Sequence, residues 1–496
     1  MMQPIVPVLL VLVSVVILLW IKSWQSKKAR MQSLGQKPPM LPYKLPFGID
    51  AAYMFVSHML RLDFFEWTQT LLDHPGRTID IYVLGTRLVL TDDCDNMKAI
   101  MSSQFSDYVK GRFVHDLFES VLGDSVFTTD GELWMANKNQ LRPYLAKSRP
   151  IDFEVAEKYI KIFLEHLDNG GKAIEVYDLV DRLQLDIVTD IFFGHPTNSL
   201  RGEHLPFRDA MNKLLAISTA RIWMGPISSL LPDSLIARKA TQDFNSYLDS
   251  QVARTLSLPA DELKKRQNSL TLMEALALQR PEPKYIKNQL IAVLMAGKDP
   301  ATITIIWALY ELARRPDIVC RLRQEIQERC GFESPPTAEQ LKEMTLLKHI
   351  VRETLRLYHP LGFNIREAKR DTTLPKGGGP DGQMPVPILA GEQVIYSVIG
   401  LQRRPDIVGE DADQWRPDRY NTWTPQTWEF LPFNHGPRIC LGRVFGQFQM
   451  EYTLVRIFQH FDALESADGR EQRIKIEMNT KMAYPVMCRF HRARSE

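Results

Sequence analysis

One cysteine constrains this chain more than any other residue. Cys440 stands in Phe433-Asn434-His435-Gly436-Pro437-Arg438-Ile439-Cys440-Leu441-Gly442, ahead of a segment where Val444, Phe448 and Tyr452 recur at four-residue spacing. That spacing predicts an amphipathic helix, and Gly436 and Pro437 interrupt regular structure before it. Cys440 is therefore expected at a helix start, where unpaired N–H groups and the positive end of the helix dipole favour a thiolate. A thiolate ligates metals, and Gly442 lets the backbone pass close to a flat cofactor. No CxxC or HxxxH companion exists. This argues against zinc or an iron-sulfur cluster and suits an iron whose equatorial ligands come from a porphyrin. Taken alone, the same residue also reads as one buried cysteine among five.

Length and charge narrow the class. With 496 residues and a formal net charge of +2, the chain is long enough for one large helical unit, and nothing points to nucleic acid. Cys94, Cys320, Cys330, Cys440 and Cys488 are scattered and odd in number, which is no disulfide framework and suits a reducing compartment. From Ile5 to Ile21 only Ser14 interrupts an apolar run, and Trp20 and Trp24 fall where an interfacial aromatic belt would lie. Lys22, Lys27, Lys28 and Arg30 all follow the run, so the positive-inside rule places what comes after it in the cytoplasm. Residues 1–21 are thus expected to be a single transmembrane anchor in the lipid bilayer. Pro38, Pro39, Pro42, Pro46 and Gly48 make residues 22–48 a basic, proline-rich hinge, leaving 49–496 as the catalytic domain.

No internal repeat or further composition boundary follows. Thr78 to Asp92 alternates around Gly85-Thr86 and predicts a hairpin, after which helical periodicity dominates to about Tyr358. Thr372 to Tyr396 turns to glycine, proline and β-branched residues, which predicts short strands, and a last strand pair is expected between Arg473 and Phe490. Within it, Thr372 to Gly382 reads as a glycine loop joining two strands, because no GK[ST] follows to make a phosphate cradle. The fold class is mainly α with a small β portion.

Glu353-Thr354-Leu355-Arg356 puts Glu353 and Arg356 on one helical face, a pairing also common on solvated surfaces. Downstream, Arg416-Pro417-Asp418-Arg419-Tyr420 supplies another arginine beside a proline. The order Glu-x-x-Arg, Pro-x-Arg-Tyr, then Phe-x-x-Gly-x-Arg-x-Cys-x-Gly resembles the signature of the cytochrome P450 monooxygenases. That resemblance implies the cytochrome P450 fold and haem b (iron protoporphyrin IX) with Cys440 as its axial thiolate. It places Phe433, Gly436 and Gly442 around the haem and pairs Arg438 with a propionate. It also assigns Glu353, Arg356 and Arg419 to a buried charge cluster behind the haem. Trp134 and Lys138, four residues apart, present an indole N–H and an ammonium from one helical face and match further propionate partners, as does Arg366. The family more often has arginine at the position of Lys138, and each cation also reads as an ordinary surface charge.

Ile291 to Leu312 predicts a long apolar helix interrupted by Ala296-Gly297-Lys298-Asp299-Pro300-Ala301-Thr302. The family reads Ala-Gly-x-Asp-Thr-Thr here, with small residues making room for dioxygen and the acid and hydroxyl relaying protons. Gly297 and Asp299 remain, whereas Pro300 replaces the threonine and removes both a hydroxyl and a backbone N–H. Thr302 points elsewhere, and Thr304 shares the face of Pro300 one turn further along. Three readings stay open: a water or substrate hydroxyl replaces the threonine, the reaction tolerates slower proton supply, or oxygen is not activated.

With Leu401-Gln402-Arg403-Arg404-Pro405 and Phe430-Leu431-Pro432-Phe433-Asn434, the chain is similar to the fungal branch that holds alkane and fatty-acid ω-hydroxylases and enzymes of secondary metabolism. The resemblance implies hydroxylation of a hydrophobic small molecule entering from the membrane side, at the endoplasmic reticulum. NADPH–cytochrome P450 reductase is the implied electron donor, and Arg438 and Arg443 would complement its acidic face. Phe113, Phe118, Met295 and Phe363 flank the motifs as substrate contacts or as plain core. A haem-thiolate isomerase or dehydratase and a non-catalytic haem-binding protein are the alternatives.

Overall fold

The computed structural model describes residues 5–147, 149–224, 236–266 and 269–492. Contacts divide the chain into two units: residues 1–51, 70–109 and 365–396 form one, and 52–69, 110–364 and 397–496 form the other.

The first unit carries helix α1 (Ile5–Leu34) and strands β1 (Thr78–Val83), β2 (Thr86–Thr91), β3 (Tyr108–Val109), β4 (Phe363–Ala368, of which it holds the last four residues), β5 (Thr372–Gly378), β6 (Met384–Ile388) and β7 (Gln393–Ser397). The expected hairpin is present: β1 and β2 pair antiparallel with Thr78 opposite Thr91 and Val83 opposite Thr86. Leu84 and Gly85 turn between them at φ of 49° and 82°, the left-handed pair whose twist suits a two-residue hairpin. The sheet order is β1-β2-β7-β4-β3, while β5 and β6 form a separate antiparallel pair around the glycine segment.

The apolar run Ile5–Ile21 forms the first part of α1, but the helix continues to Leu34. Lys22 to Arg30 therefore prolong a helix and do not open the hinge; the irregular backbone begins at Gly35, ahead of the proline-dense stretch. Arg30 is fixed by donating from Nε to Asp371 at 2.7 Å. The side chains of residues 5–13, 16, 17 and 20 lie outside the described residues, and the aromatic-belt reading of Trp20 with them. Among the described residues, one helix is long and apolar enough to cross a membrane, Pro283–Leu312, and 83% of its apolar window is buried inside the protein. That burial identifies a core helix.

The second unit is mostly helical. Its helices used below are α2 (Gly111–Leu122), α3 (Gly131–Leu145), α4 (Val176–Phe193), α5 (Pro283–Leu312), α6 (Thr345–Leu357) and α7 (Arg443–His460). α6 buries Leu347, Ile350, Val351, Thr354 and Leu355, the three-and-four spacing of one helical face. α5 packs against α4, α6 and α7, and Gln449 of α7 donates to Gln184 of α4 at 2.6 Å. Helix α5 starts eight residues before Ile291 and runs through Pro300 without a break. The sequence places Pro300 in mid-helix, and there it is. A proline costs ~3 kcal/mol in a helix interior, but packing on several sides outweighs propensity.

Between Asn288 and Leu312 only Ala296 is exposed, with Gly297 and Pro300 half-buried. Lys298 is buried and its ammonium lies 2.7 Å from Asp299 Oδ1 and closer still to Asp181 of α4. Burial opposes the charge, yet the two carboxylates outweigh it and raise the Lys298 pKa. The expected final strand pair divides. Ile474–Ile476 pairs with Thr480–Met482, while Met487–His491 pairs with Ala463–Ser466 and Ile174–Glu175. Pro485, which cannot donate to a ladder, separates the two sets.

Candidate functional site

Cys440 lies two residues ahead of Gly442, the N-cap of α7. Its backbone N–H donates to the Phe433 carbonyl at 3.0 Å, closing the loop, and Gly436 turns it with φ of 70°. The residue as a whole is exposed, while the thiol group is surrounded by protein mass. The surrounding mass governs its charge: burial pushes the thiol pKa up, against a Gly442 backbone hydrogen bond and the Arg443 charge. The helix start alone thus does not ionise this cysteine, contrary to the sequence expectation. Positive charge from a bound metal deprotonates a coordinating thiol outright. A side chain at Gly442 would meet nothing within 4 Å, so there is open space beside the loop.

Behind the loop, one carboxylate gathers two arginines. Arg356 donates from Nε and Nη2 to Glu353 at 2.8 and 2.9 Å, and Arg419 Nε reaches Glu353 Oε1 at 3.2 Å. Glu353 and Arg356 are 0% exposed and Arg419 1%. The guanidinium of Arg356 also donates to the carbonyls of Gln402, Ala412 and Gln414. Burial opposes the Arg419 charge, but Asp411 and Glu353 raise its pKa above the ordinary value. Gln402, buried, donates to the Leu355 and Arg356 carbonyls and accepts from Leu431 N at 2.8 Å. It ties α6 to the segment leading into the cysteine loop, a role sequence reasoning missed.

On α3, Trp134 is buried and carries two cations: Arg438 at 4.3 Å and Lys138 at 5.0 Å from the ring centroid. Lys138 Nζ donates to the Pro437 carbonyl at 2.8 Å. Burial, Arg142 and Arg438 lower the Lys138 pKa, so an anion arriving here would relieve the repulsion. Arg438 pairs with Asp130 at 2.5 Å, a second residue not singled out beforehand. An Asp before a helical run is an N-cap pattern, which gives no sign of a partner 308 residues away. Arg366 belongs to the sheet unit, where it is buried, 5.6 Å from the Tyr396 ring, and donates to the Ile365 carbonyl at 2.8 Å.

On α5 the motif residues separate. A Cβ at Gly297 would make ordinary contacts with Val188 of α4 at 3.5 Å and Phe192 at 3.9 Å, so the packing there does not demand glycine, and Ala296 presents the open side. Asp299 Oδ2 accepts from Asn479 at 3.1 Å while Oδ1 takes the Lys298 ammonium. Thr302 donates its hydroxyl to the Lys298 carbonyl at 3.0 Å and Thr304 to the Pro300 carbonyl at 2.8 Å, and both threonines are buried. A threonine hydroxyl has one proton. In this structure each is given back to the helix.

The sequence matches the family description "Cytochrome P450" over residues 50–485. This chain belongs to the cytochrome P450 family. It is 33% identical over 93% of its length to "Cytochrome P450 monooxygenase pvhE" of Talaromyces variabilis, covering 91% of that protein. It is 33% identical over 83% of its length to "Cytochrome P450 52A1" of Candida tropicalis, covering 79% of it. A similar likeness, 33% over 85% of the chain and 77% of the relative, links it to "Cytochrome P450 monooxygenase fsdH" of Fusarium heterosporum. Cytochromes P450 bind haem b with a cysteine thiolate as axial ligand. The residues present fit that group: an exposed cysteine at 440, open space beside Gly442, and two cations over the Trp134 indole where carboxylates would be received.

A cavity of ≈ 720 Å³ opens beside the Cys440 loop, lined among others by Phe433, Phe448, Lys348, Arg352 and Glu451. Burial raises the Glu451 pKa to about 7, with Lys348 opposing. Because the folded pKa lies above the ordinary 4.5, the stability associated with protonated Glu451 is whole below about 4.5 and lost as pH rises through 7. Glu451→Gln should remove about 3 kcal/mol of that pH dependence. Urea unfolding measured across this window would show an unchanged slope if Glu451 does not titrate there. Glu353→Gln, which strips the charge opposing two buried guanidinium groups, should cost ~3–5 kcal/mol and speed haem loss. A melting temperature equal to the wild type's would contradict the central place given to Glu353.

Proposed function

We propose that the protein is a membrane-anchored haem-thiolate monooxygenase that hydroxylates a hydrophobic small molecule in fungal secondary metabolism, with Cys440 as the axial ligand. The observation that carries this reading is the closed loop of the exposed residue Cys440, whose N–H donates to the Phe433 carbonyl at 3.0 Å two residues ahead of the Gly442 N-cap of α7. The bound haem would supply oxygen activation and one-electron chemistry that no side chain here provides. Arg438 and Lys138 would receive its carboxylates as charged donors. Phe433 would shield the sulfur side. The apolar first part of α1 and the basic residues after it support an anchor with the catalytic domain facing the cytoplasm, in keeping with the endoplasmic reticulum.

NADPH–cytochrome P450 reductase is proposed as the electron source, because the chain carries no dinucleotide fingerprint of its own. Lys348, Arg352 and Arg443 give the cysteine side a basic character that suits an acidic partner. Proton supply is where this chain departs from its family. Pro300 brings no hydroxyl, Thr302 and Thr304 give theirs to carbonyls, and Asp299 is engaged by Lys298 and Asn479. A water or a substrate hydroxyl is therefore proposed as the donor near Ala296, whose carbonyl lacks its usual helical partner because residue 300 has no N–H. That departure favours a specialised biosynthetic substrate over the alkane or fatty-acid ω-hydroxylation of the wider branch.

The ferrous carbonyl complex of the purified protein should show the long-wavelength absorption of thiolate ligation, and Cys440→Ser should lose it. Retention of that band by the serine variant would sink the assignment. Pro300→Thr should shift the product formed per NADPH consumed toward stoichiometric, since a positioned donor suppresses loss of oxygen as peroxide. A ratio indistinguishable from the parent enzyme would remove residue 300 from the proton route.

A further inference from the structure

Asp130 is an N-cap residue whose side chain serves a different helix. It immediately precedes α3 yet makes no side-chain cap there. Its Oδ1 accepts from Lys110 N at 2.9 Å and its Oδ2 from Gly111 N at 3.0 Å, at the start of α2. Lys110 is right-handed with φ of −65° and Gly111 left-handed with φ of 78°, so two successive N–H groups form a concavity that holds an anion. The helix dipole of α2 favours a carboxylate at that end.

The same carboxylate has a second duty. Its Oδ1 receives Arg438 Nη2 at 2.5 Å, and that nitrogen also donates to the Thr129 carbonyl at 2.9 Å. One acidic side chain thus joins three pieces of the chain: the start of α2, the start of α3 and the loop that ends in Cys440. α2 in turn packs on α5, the helix that carries Ala296.

We propose that Asp130 is a positioning residue that couples Arg438 to the first turn of α2, so that an anionic haem edge held by Arg438 also sets the order of α2. The proposal rests on the reading above for what Arg438 holds. Arg438 shared between Asp130 and a haem carboxylate is fixed from both sides, and Asp130 is fixed with it. Loss of Arg438 leaves the two N–H groups of α2 with a less firmly held acceptor, and loss of the Asp130 carboxylate removes that acceptor.

The test uses the full chain, haem-loaded, as wild type, Asp130→Asn, Arg438→Gln, Arg438→Lys and the Asp130→Asn/Arg438→Gln double variant. Two quantities are read: hydrogen exchange of the peptide covering Lys110–Leu122, and haem loss to an excess of acceptor apoglobin. Arg438→Gln should speed α2 exchange about tenfold, the size of one charge-assisted hydrogen bond, with Arg438→Lys between it and wild type. Asp130→Asn should speed both exchange and haem loss, and the double variant should add little to the larger single effect. The proposal is overturned if Arg438→Gln leaves α2 exchange unchanged, if Asp130→Asn leaves haem loss unchanged, or if the two effects simply add. A wild-type protein that takes up no haem would instead refute the haem-thiolate reading, and the exchange of α2 in Arg438→Gln would still report on the coupling.

Discussion

The Glu353 carboxylate is the point on which the helical unit turns. It is buried with two guanidinium groups, and an isolated charge at that depth would cost several kcal/mol. Neither arginine is held by Glu353 alone, because carbonyls of residues 402, 408, 411, 412 and 414 accept the remaining donors. An irregular stretch of backbone is thereby wrapped around two side chains. Gln402 passes that order on to Leu431, two residues before Phe433. The cysteine loop inherits its shape from a charge cluster it does not contain.

Charge at Cys440 shows why the pieces are needed together. Amide donors and Arg443 pull the thiol toward ionisation, and burial pulls harder the other way. Within the protein alone, desolvation wins. A ligating iron reverses the balance, so under the proposed function metal binding and deprotonation are one event. This links the stability of the folded chain to its cofactor.

The sequence was most legible where side-chain spacing and backbone geometry agree. Glu353 with Arg356, the hairpin at Leu84-Gly85 and the glycine-rich hairpin of β5 and β6 follow from local rules, and the structure has them. It was least legible where tertiary packing overrides propensity. Propensity alone disfavours Pro300 in mid-helix, but α5 runs through it because it is buried on most sides. Asp130, Gln402 and Asp181 act on residues far away in sequence, so no window of neighbours exposes them. The ion pairs of Lys298 depend on which face of α4 turns toward α5, a long-range fact that helical period alone does not give.

Those ion pairs also restrict how the protein can change over time. Asp181 and Lys298 stand on different helices; losing Lys298 strands the Asp181 charge where water cannot reach it, whereas losing Asp181 leaves the ammonium to Asp299 alone. Replacing Lys298 alone would leave two buried carboxylates without their cation, so a tolerated change at 298 calls for a matching change at 181. The two sites are thus expected to vary as a unit among descendants of this sequence. Since Lys298 sits between Gly297 and Asp299, that inheritance fixes the azimuth of α5 and carries the orientation of Ala296 and Pro300 along with it.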